Sequence, residues 1–163
     1  DLVNEVNPEA TVEVVWTFTW FGPEAETQAA NALLEKGADV LAQHQDSTAT
    51  GLAAEAAGAK WISYNTAYGQ DSAPEAFVTA PVWDWGPYYV NIVEQIIDGT
   101  FTTESYWGGM ETGLVSLYDL SSDVPSDTAT LIAEKTEAII DGTLEVEIVE
   151  EEFISNVIGT VNP

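Results

Sequence analysis

The stretch GADVLAQHQDSTATGLAAEAAGAKWISY, residues 37–64, decides the fold. Residues 38–44 form a short apolar run that is typical of a buried strand, and residues 61–64 form another. Between them, alanine-rich sequence follows the capping residues 46–48 and predicts a helix that Gly58 ends. A strand, a helix and a second strand in this order favour parallel pairing through a right-handed crossover.

The alternation of strands and helices continues on both sides of this stretch. Upstream, the β-branched residues 11–16 predict a strand, and residues 24–36 predict a helix. Downstream, we predict a strand at residues 76–81, a helix at 85–98, a strand at 114–118, a helix that begins within 122–127 and ends before Gly142, and a half-exposed strand at 144–149, with 65–75 as a loop. Together these elements predict an α/β fold, with a doubly wound, mainly parallel sheet and flanking helices.

The charge balance of the sequence is extreme. Three lysines, no arginine and 28 acidic residues give a formal net charge of −25 over 163 residues, yet 45% of the residues are hydrophobic. This apolar content supports one folded domain, and three bases cannot neutralise a row of phosphates in nucleic acid or in an anionic membrane. Because molar salt shortens the screening length to about 3 Å, the composition favours adaptation to high salt. An ordinary acidic protein is the alternative.

Ligands of parallel sheets bind beyond the carboxyl ends of the strands. In the predicted sheet these ends carry aromatic rings beside amides and carboxylates, which suit a flat, uncharged base or nucleoside that stacks and forms hydrogen bonds at its rim. Core packing is the alternative role of each tryptophan. We expect the ligand-binding residues to be Trp20, Phe21, His44, Gln45, Asp46, Asn65, Trp83, Asp84 and Trp85.

Four runs of residues resemble the basic membrane protein family, also called the purine-nucleoside-receptor-like family. They are GADVLAQHQDS (37–47), APVWDWGPYYV (80–90), DGTF (98–101) and WGGMETG (107–113). Members of that family are substrate-binding lipoproteins of ABC importers with the type I periplasmic-binding fold, and their best-known ligands are purine nucleosides. The resemblance implies a purine ligand, with adenine as one example, that contacts residues 44–46 and 83–85. Asn65 stands where many relatives have an aspartate, which favours a base over a nucleoside.

The same resemblance implies how the chain is organised. Family members are about twice as long and have two lobes, so we expect residues 1–144 to form an α/β ligand-binding lobe, the second of the two, with its first helix truncated. Residues 145–163 are expected to form a divergent acidic strand or tail. A missing N-terminal lobe and an ABC permease are the implied partners. The implied location is extracytoplasmic, at the cell surface or in the periplasm, with a lipid anchor in the full-length protein.

Two other function classes stay open. A small α/β enzyme would use His44 and Asp46 as an acid–base pair, but no G-x-S-x-G turn supplies a nucleophile, so we expect no catalysis and no cofactor. We also expect no specific metal site, because the sequence lacks cysteine, His44 is the single histidine, and the acidic residues 119, 123 and 127 do not have the spacing of a calcium loop. Loose cation binding by the acidic clusters stays open as an alternative. An interaction module that packs against the rest of a larger fold would present an exposed apolar helix or sheet edge.

Overall fold

Residues 2–146 are described by a computed structural model that contains six α-helices and five short strands. In chain order these elements are α1 (Leu2–Val6), α2 (Pro23–Glu35), β1 (Val40–Ala42), α3 (Ala49–Ala57), β2 (Lys60–Ile62), α4 (Gly69–Ser72), β3 (Phe77–Thr79), β4 (Pro81–Trp83), α5 (Gly86–Asp98), a 3₁₀ turn (Met110–Thr112), β5 (Val115–Leu117) and α6 (Ser126–Ile140).

A three-stranded parallel sheet lies at the centre of the described residues, in the order β1–β2–β3. Its register places Trp61 opposite Leu41 on one side and opposite Phe77 on the other. Helix α3 connects β1 to β2 and packs against both strands and against α2. The predicted α/β class, with a mainly parallel sheet and flanking helices, is confirmed. Helix α3 also ends as predicted, at Gly58 with φ of 72°.

The core is built around the side chain of Trp61, which has no solvent exposure. Gly51 of α3 and Gly69 of α4 lie directly against the indole, and a Cβ atom on either glycine would overlap it. The ring of Phe77 meets the indole edge-on, with ring centroids 6.1 Å apart. Inside this shell the indole Nε1–H donates a hydrogen bond to Oε1 of Gln43 at 3.0 Å, so the buried polar group is satisfied.

The strand predicted at residues 11–16 is wrong. These residues belong to no strand or helix, and most of their side chains are exposed. β-branched side chains favour extended backbone, but a strand also needs a neighbour for its ladder hydrogen bonds, and none of the described strands pairs with this segment. The segment is held by side chains instead, through an ion pair of Glu13 with Lys36 at 2.8 Å.

The strand predicted at residues 114–118 forms as β5, but outside the parallel sheet. It pairs antiparallel with β4, with Val82 opposite Ser116, so the predicted position of this strand in the parallel sheet is wrong. Residue 80 alone separates β3 from β4, so β4 continues the path of β3 beyond the parallel sheet and pairs there with β5.

One further local prediction is wrong, and one extends past the described residues. The expected loop at 65–75 contains the short helix α4. Helix α6 begins at Ser126, within the predicted range 122–127, and ends at Ile140, before Gly142, as predicted. Asp123, ahead of this helix, forms an ion pair with Lys60 at 2.7 Å. Residues 144–146 carry no strand, and the rest of the predicted strand at 144–149 lies outside the described residues, as does most of the predicted tail.

Among residues 2–146, no helix is both long enough and apolar enough to cross a bilayer.

Substitution of Gly51 by alanine tests the packing around Trp61. We expect Gly51→Ala to lower the free energy of unfolding by about 1–3 kcal/mol, the usual effect of an extra methyl group in a filled core. Chemical denaturation in molar salt measures this value. Gly86→Ala is the matched control, because the added methyl would meet a flexible carboxylate oxygen of Asp84 at 3.1 Å. Equal stability of the two variants would contradict the described packing.

Candidate ligand-binding site

The residues that follow β1 and β2 lie beside β4 at one end of the sheet, which we call the carboxyl edge. The rings of His44 and Tyr64 are in contact there, with centroids 5.2 Å apart. Asn65 forms an isolated parallel bridge with Val82, which places it next to Trp83 in the following position of β4. The structure therefore brings His44, Asn65 and Trp83 to the same edge, as the parallel strands require.

Asn65 has an unusual backbone conformation at this edge. Its φ of 60° lies in the left-handed region, which asparagine adopts more readily than most other residues. The chain turns there from β2 toward α4, directly beside the predicted ligand residues. A β-branched residue at this position would strain the turn.

Aromatic rings continue from Trp83 along the start of α5. Trp83 contacts Trp85, with centroids 6.0 Å apart, and Trp85 contacts Tyr88 at 5.8 Å. Tyr88 in turn packs on Tyr106 at 4.5 Å. We call Trp83, Trp85, Tyr88, Tyr89 and Tyr106 the aromatic cluster. Tyr88 and Tyr106 were not predicted as neighbours of the site. The three-residue spacing from Trp85 to Tyr88 in a predicted helix was a usable signal, whereas nothing local indicated Tyr106.

Asp84 lies between the two tryptophans, with its side chain exposed. Its backbone N–H donates to the carbonyl oxygen of Leu114 at 2.9 Å. Its carboxylate Oδ1 accepts the N–H of Gly86 at 3.0 Å, at the first residue of α5. Asp84 therefore fixes the turn between β4 and α5 and holds the tryptophans on either side of it in place.

Four further predicted residues form a second group around the loop that follows His44. They are Trp20, Phe21, Gln45 and Asp46. The N–H of Asp46 donates to the carbonyl oxygen of Trp20 at 2.8 Å. Gln45 Nε2 donates to Oγ1 of Thr17 at 2.9 Å. A cavity of about 420 Å³ opens beside this group, and Phe21 and Asp46 are among the residues that line it. Its size is within the usual range for small-molecule sites.

A buried carboxylate connects the two loops of this second group. Glu26 in α2 is only 1% exposed. Its Oε1 accepts the N–H of Gly22 at 2.9 Å, and its Oε2 accepts the hydroxyl of Ser47 at 2.5 Å. Glu26 was not predicted as part of the site, because an acidic residue in the first turn of a helix is normally exposed and only the tertiary fold brings Ser47 to it.

Gln43 holds the same loop from inside the core. Its Nε2 donates to the carbonyl oxygens of Gln45 at 2.8 Å and Ser47 at 2.6 Å, while its Oε1 accepts the Trp61 indole N–H. The loop that carries residues 44–46 is thus fixed by buried hydrogen bonds before any ligand arrives. Preorganisation of this kind reduces the entropy that binding must overcome.

The chemistry of the carboxyl edge follows from its exposed groups. Trp83 is 47% exposed, so its ring is partly accessible for stacking, and His44, Asp46 and Asp84 are exposed polar groups. Lys36 and Lys60 form ion pairs with Glu13 and Asp123, away from these residues. Within the described residues, no group of three or more histidine, aspartate and glutamate side chains is placed to hold a metal ion. The edge can therefore stack a ring and accept hydrogen bonds.

The chain matches a family model over residues 3–150, and that model describes PnrA-like substrate-binding proteins of ABC transporters. This chain belongs to the Bmp family. The predicted resemblance is confirmed by a match that covers most of the sequence. Members of the Bmp family are extracytoplasmic substrate-binding proteins and not enzymes.

Individual relatives agree with this family. The chain is 39% identical over 141 residues to a protein of Haloferax volcanii named as an ABC transporter glucose-binding protein, covering 86% of this chain and 36% of the relative. It is 41% identical over 140 residues to a purine-binding protein of Brucella abortus, covering 83% and 38%. A solved ABC transporter solute-binding protein from Conexibacter woesei superimposes with a TM-score of 0.73 at 26% identity, covering 89% and 49%. The chain thus spans less than half the length of these proteins.

The buried carboxylate of Glu26 can be tested by substitution. We expect Glu26→Ala to lower the free energy of unfolding by about 1–3 kcal/mol, because the Gly22 amide and the Ser47 hydroxyl would lose their acceptor. Glu24→Ala, an exposed glutamate in the same helical turn, should change it by less than about 0.5 kcal/mol. Thermal unfolding in molar salt compares the two variants. If both are equally stable, the Glu26 carboxylate does not fix the loop.

Proposed function

We propose that this chain forms a ligand-binding lobe of an ABC importer's substrate-binding protein and binds a purine base or nucleoside at the carboxyl edge. The single observation that carries the proposal is the placement of Trp83, Asn65 and the His44–Tyr64 ring pair at one edge of the sheet. A stacking face beside an amide and an imidazole matches a flat ligand with hydrogen-bonding groups at its rim.

The charge of the chain supports an uncharged or weakly basic ligand. Phosphate recognition needs a cation or a helix N-terminus with glycine-rich backbone, and two of the three lysines are paired with acids elsewhere. Lys135, the third, lies in α6. Asp46 and Asp84 are suited to accept N–H groups such as the exocyclic amine of adenine.

A sugar is the competing ligand, because one relative is named for glucose and another for purine. Sugars also stack on aromatic rings, but they present hydroxyl groups all around the ring and require many polar partners. The aromatic cluster supplies rings in excess of polar side chains, which favours the flatter and less polar purine. Asn65, with both donor and acceptor, is suited to pair with a base edge.

We further propose that the lobe works with partners that the longer protein and its transporter supply. A lobe that offers one edge contacts one side of a ligand, so a second lobe would enclose the purine and raise affinity. An ABC permease would receive the ligand, and a lipid anchor would hold the full-length protein at the cell surface or in the periplasm. The partial coverage of the relatives, 36% and 38% of their lengths, supports a second lobe.

Ligand-induced stabilisation tests the purine proposal. We expect adenine or adenosine at millimolar concentration in molar salt to raise the melting temperature, because a ligand at 100 times its Kd stabilises the native state by about 2.7 kcal/mol. Trp83→Ala should abolish this shift and leave the unliganded melting temperature nearly unchanged. Trp16→Ala, another half-exposed tryptophan, is the matched control and should keep the shift.

The same titration separates the ligand classes. Glucose at the same concentration should leave the melting temperature of the wild-type chain unchanged. A response to glucose without a response to any purine would overturn the proposed ligand, and a full response in Trp83→Ala would remove Trp83 from the site.

One observation favours a second function, that of an interaction module. Helix α5 contains no buried residue, and Tyr89, Val93, Ile96 and Ile97, each more than half exposed, form an apolar stripe along it. Ile97 is 77% exposed. A stripe of this kind on a helix marks a surface that packs against another protein surface. The partner would be the rest of a larger fold or, in its absence, a second copy of the chain.

Self-association tests the module function. Under this function we expect the chain to form dimers in molar salt, because high salt screens the acidic surfaces and leaves the α5 stripe to associate. Ile97→Asp should shift sedimentation to the monomer, whereas Leu52→Asp, on exposed α3 surface, should not. A wild-type chain that remains monomeric at high protein concentration would rule out self-association through the α5 stripe.

A further inference from the structure

Two loops from distant parts of the chain carry four of the predicted ligand-binding residues. One loop holds Trp20 and Phe21 before α2, and the other holds Gln45 and Asp46 between β1 and α3. The Asp46 N–H donates to the carbonyl oxygen of Trp20 at 2.8 Å, so the two loops are in direct contact. Any group that fixes one loop against the other therefore fixes the relative positions of these four residues.

Both loops line the cavity of about 420 Å³. Phe21 lines it from the first loop, and Asp46 and Ser47 line it from the second. The Glu26 carboxylate accepts a hydrogen bond from each loop, from the N–H of Gly22 at 2.9 Å and from the hydroxyl of Ser47 at 2.5 Å. One carboxylate thus ties two walls of the cavity together and limits how far apart they can move.

This link resists opening because the Glu26 carboxylate is buried. Only 1% of the residue is exposed, so water cannot replace either hydrogen-bond partner. Within residues 2–146 the lysine ion pairs use Glu13 and Asp123, so no lysine pairs with Glu26. If the loops parted, Glu26 would become a buried charged acceptor without the Ser47 hydroxyl, which is costly. Parting of the loops is therefore unfavourable even without a ligand.

The two hydrogen bonds of Glu26 require a carboxylate at this position. Both partners, the Gly22 amide and the Ser47 hydroxyl, are donors, and each uses a separate carboxylate oxygen. A glutamine of nearly the same volume would turn its NH₂ group toward one of these donors. The backbone of Ser47 is held independently, since Gln43 Nε2 donates to its carbonyl oxygen at 2.6 Å. Loss of the Ser47 hydroxyl would therefore leave this backbone anchor in place.

We propose that Glu26 and Ser47 are positioning residues for ligand binding, and that their hydrogen bond fixes the separation of Phe21 and Asp46 across the cavity before the ligand arrives. Glu26 is buried and acts through Gly22 and Ser47 rather than by touching the ligand. A preformed separation raises affinity, because the two loops lose little further freedom on binding. The proposal rests on the purine-binding function proposed above.

Adenine titrations in molar salt test the proposal. Tryptophan fluorescence measures the Kd well below the melting temperature of each variant, and circular dichroism confirms the fold. We expect Ser47→Ala and Glu26→Gln each to raise the Kd about tenfold, because each removes the same hydrogen bond. The double variant should raise it no further than either single variant, since both changes act on one bond. Ser47→Thr, which keeps a hydroxyl, should restore most of the lost affinity.

Thr79→Val is the matched control. It removes another buried hydroxyl, which donates to the carbonyl oxygen of Tyr118 at 2.7 Å and belongs to neither loop. This variant should lower the melting temperature and keep the wild-type Kd, because global stability does not change the affinity of a fully folded chain.

Hydrogen exchange gives a second readout, in the absence of ligand. The Asp46 amide donates to Trp20 and to neither of the substituted side chains. Its exchange should be several-fold faster in Ser47→Ala and in Glu26→Gln, because the loops that it joins would separate more often. Thr79→Val should leave it unchanged.

The possible outcomes separate this proposal from the proposed function. A wild-type chain that binds no purine would overturn the proposed function and the positioning role with it. Purine binding with the same Kd in wild type, Ser47→Ala and Glu26→Gln, or unchanged exchange at Asp46, would overturn the positioning role alone. Loss of affinity in Ser47→Ala but not in Glu26→Gln would also overturn it, and would assign Ser47 a direct contact with the ligand.

Discussion

Burial of the Trp61 indole is the constraint on which the rest of the fold depends. Among the residues that the structure describes, this ring is the largest fully buried side chain, and it fits only because glycines at 51 and 69 leave room for it. Its polar N–H cannot be buried without an acceptor, and Gln43 supplies one. The amide of Gln43 is then oriented so that it also holds the carbonyl groups of Gln45 and Ser47. A packing requirement of the core thus sets the shape of a ligand-binding loop.

The helices and parallel strands around this core could be predicted because their signals are local. The periodicity of apolar residues and the glycine at the end of α3 lie within the elements that they specify. Residues 11–16 show where this approach fails, since the same local signal predicts a strand but pairing depends on a neighbour elsewhere in the chain. The strand at 114–118 was located correctly, but its antiparallel pairing depends on how the long connection between β4 and β5 returns the chain, which no local signal specifies.

The site could also be predicted only in part, because local signals locate its residues but do not specify contacts between distant segments. Parallel strands place their carboxyl ends together, so His44, Asn65 and Trp83 could be assigned to one edge from their positions after apolar runs. The contacts of Glu26 with Ser47 and of Tyr106 with Tyr88 could not be predicted, because each joins separate parts of the chain. Composition also could not distinguish the buried Trp61 from the exposed tryptophans. In the structure, Trp61 is buried because Gly51 and Gly69 pack against its ring, and these two glycines are 18 positions apart in the sequence.

Met110 lines an apolar groove together with Val115, Leu117, Leu131 and Ile139, and it gives this groove a chemical property that the carboxyl edge lacks. It is the single methionine of a chain without cysteine, so it carries the only sulfur atom of the whole sequence. It lies half-buried in the 3₁₀ turn and lines the groove. Oxidation to the sulfoxide would place a polar group on an otherwise apolar surface. Thioether oxidation would therefore alter the groove first, while the core around Trp61 and the carboxyl edge keep their composition.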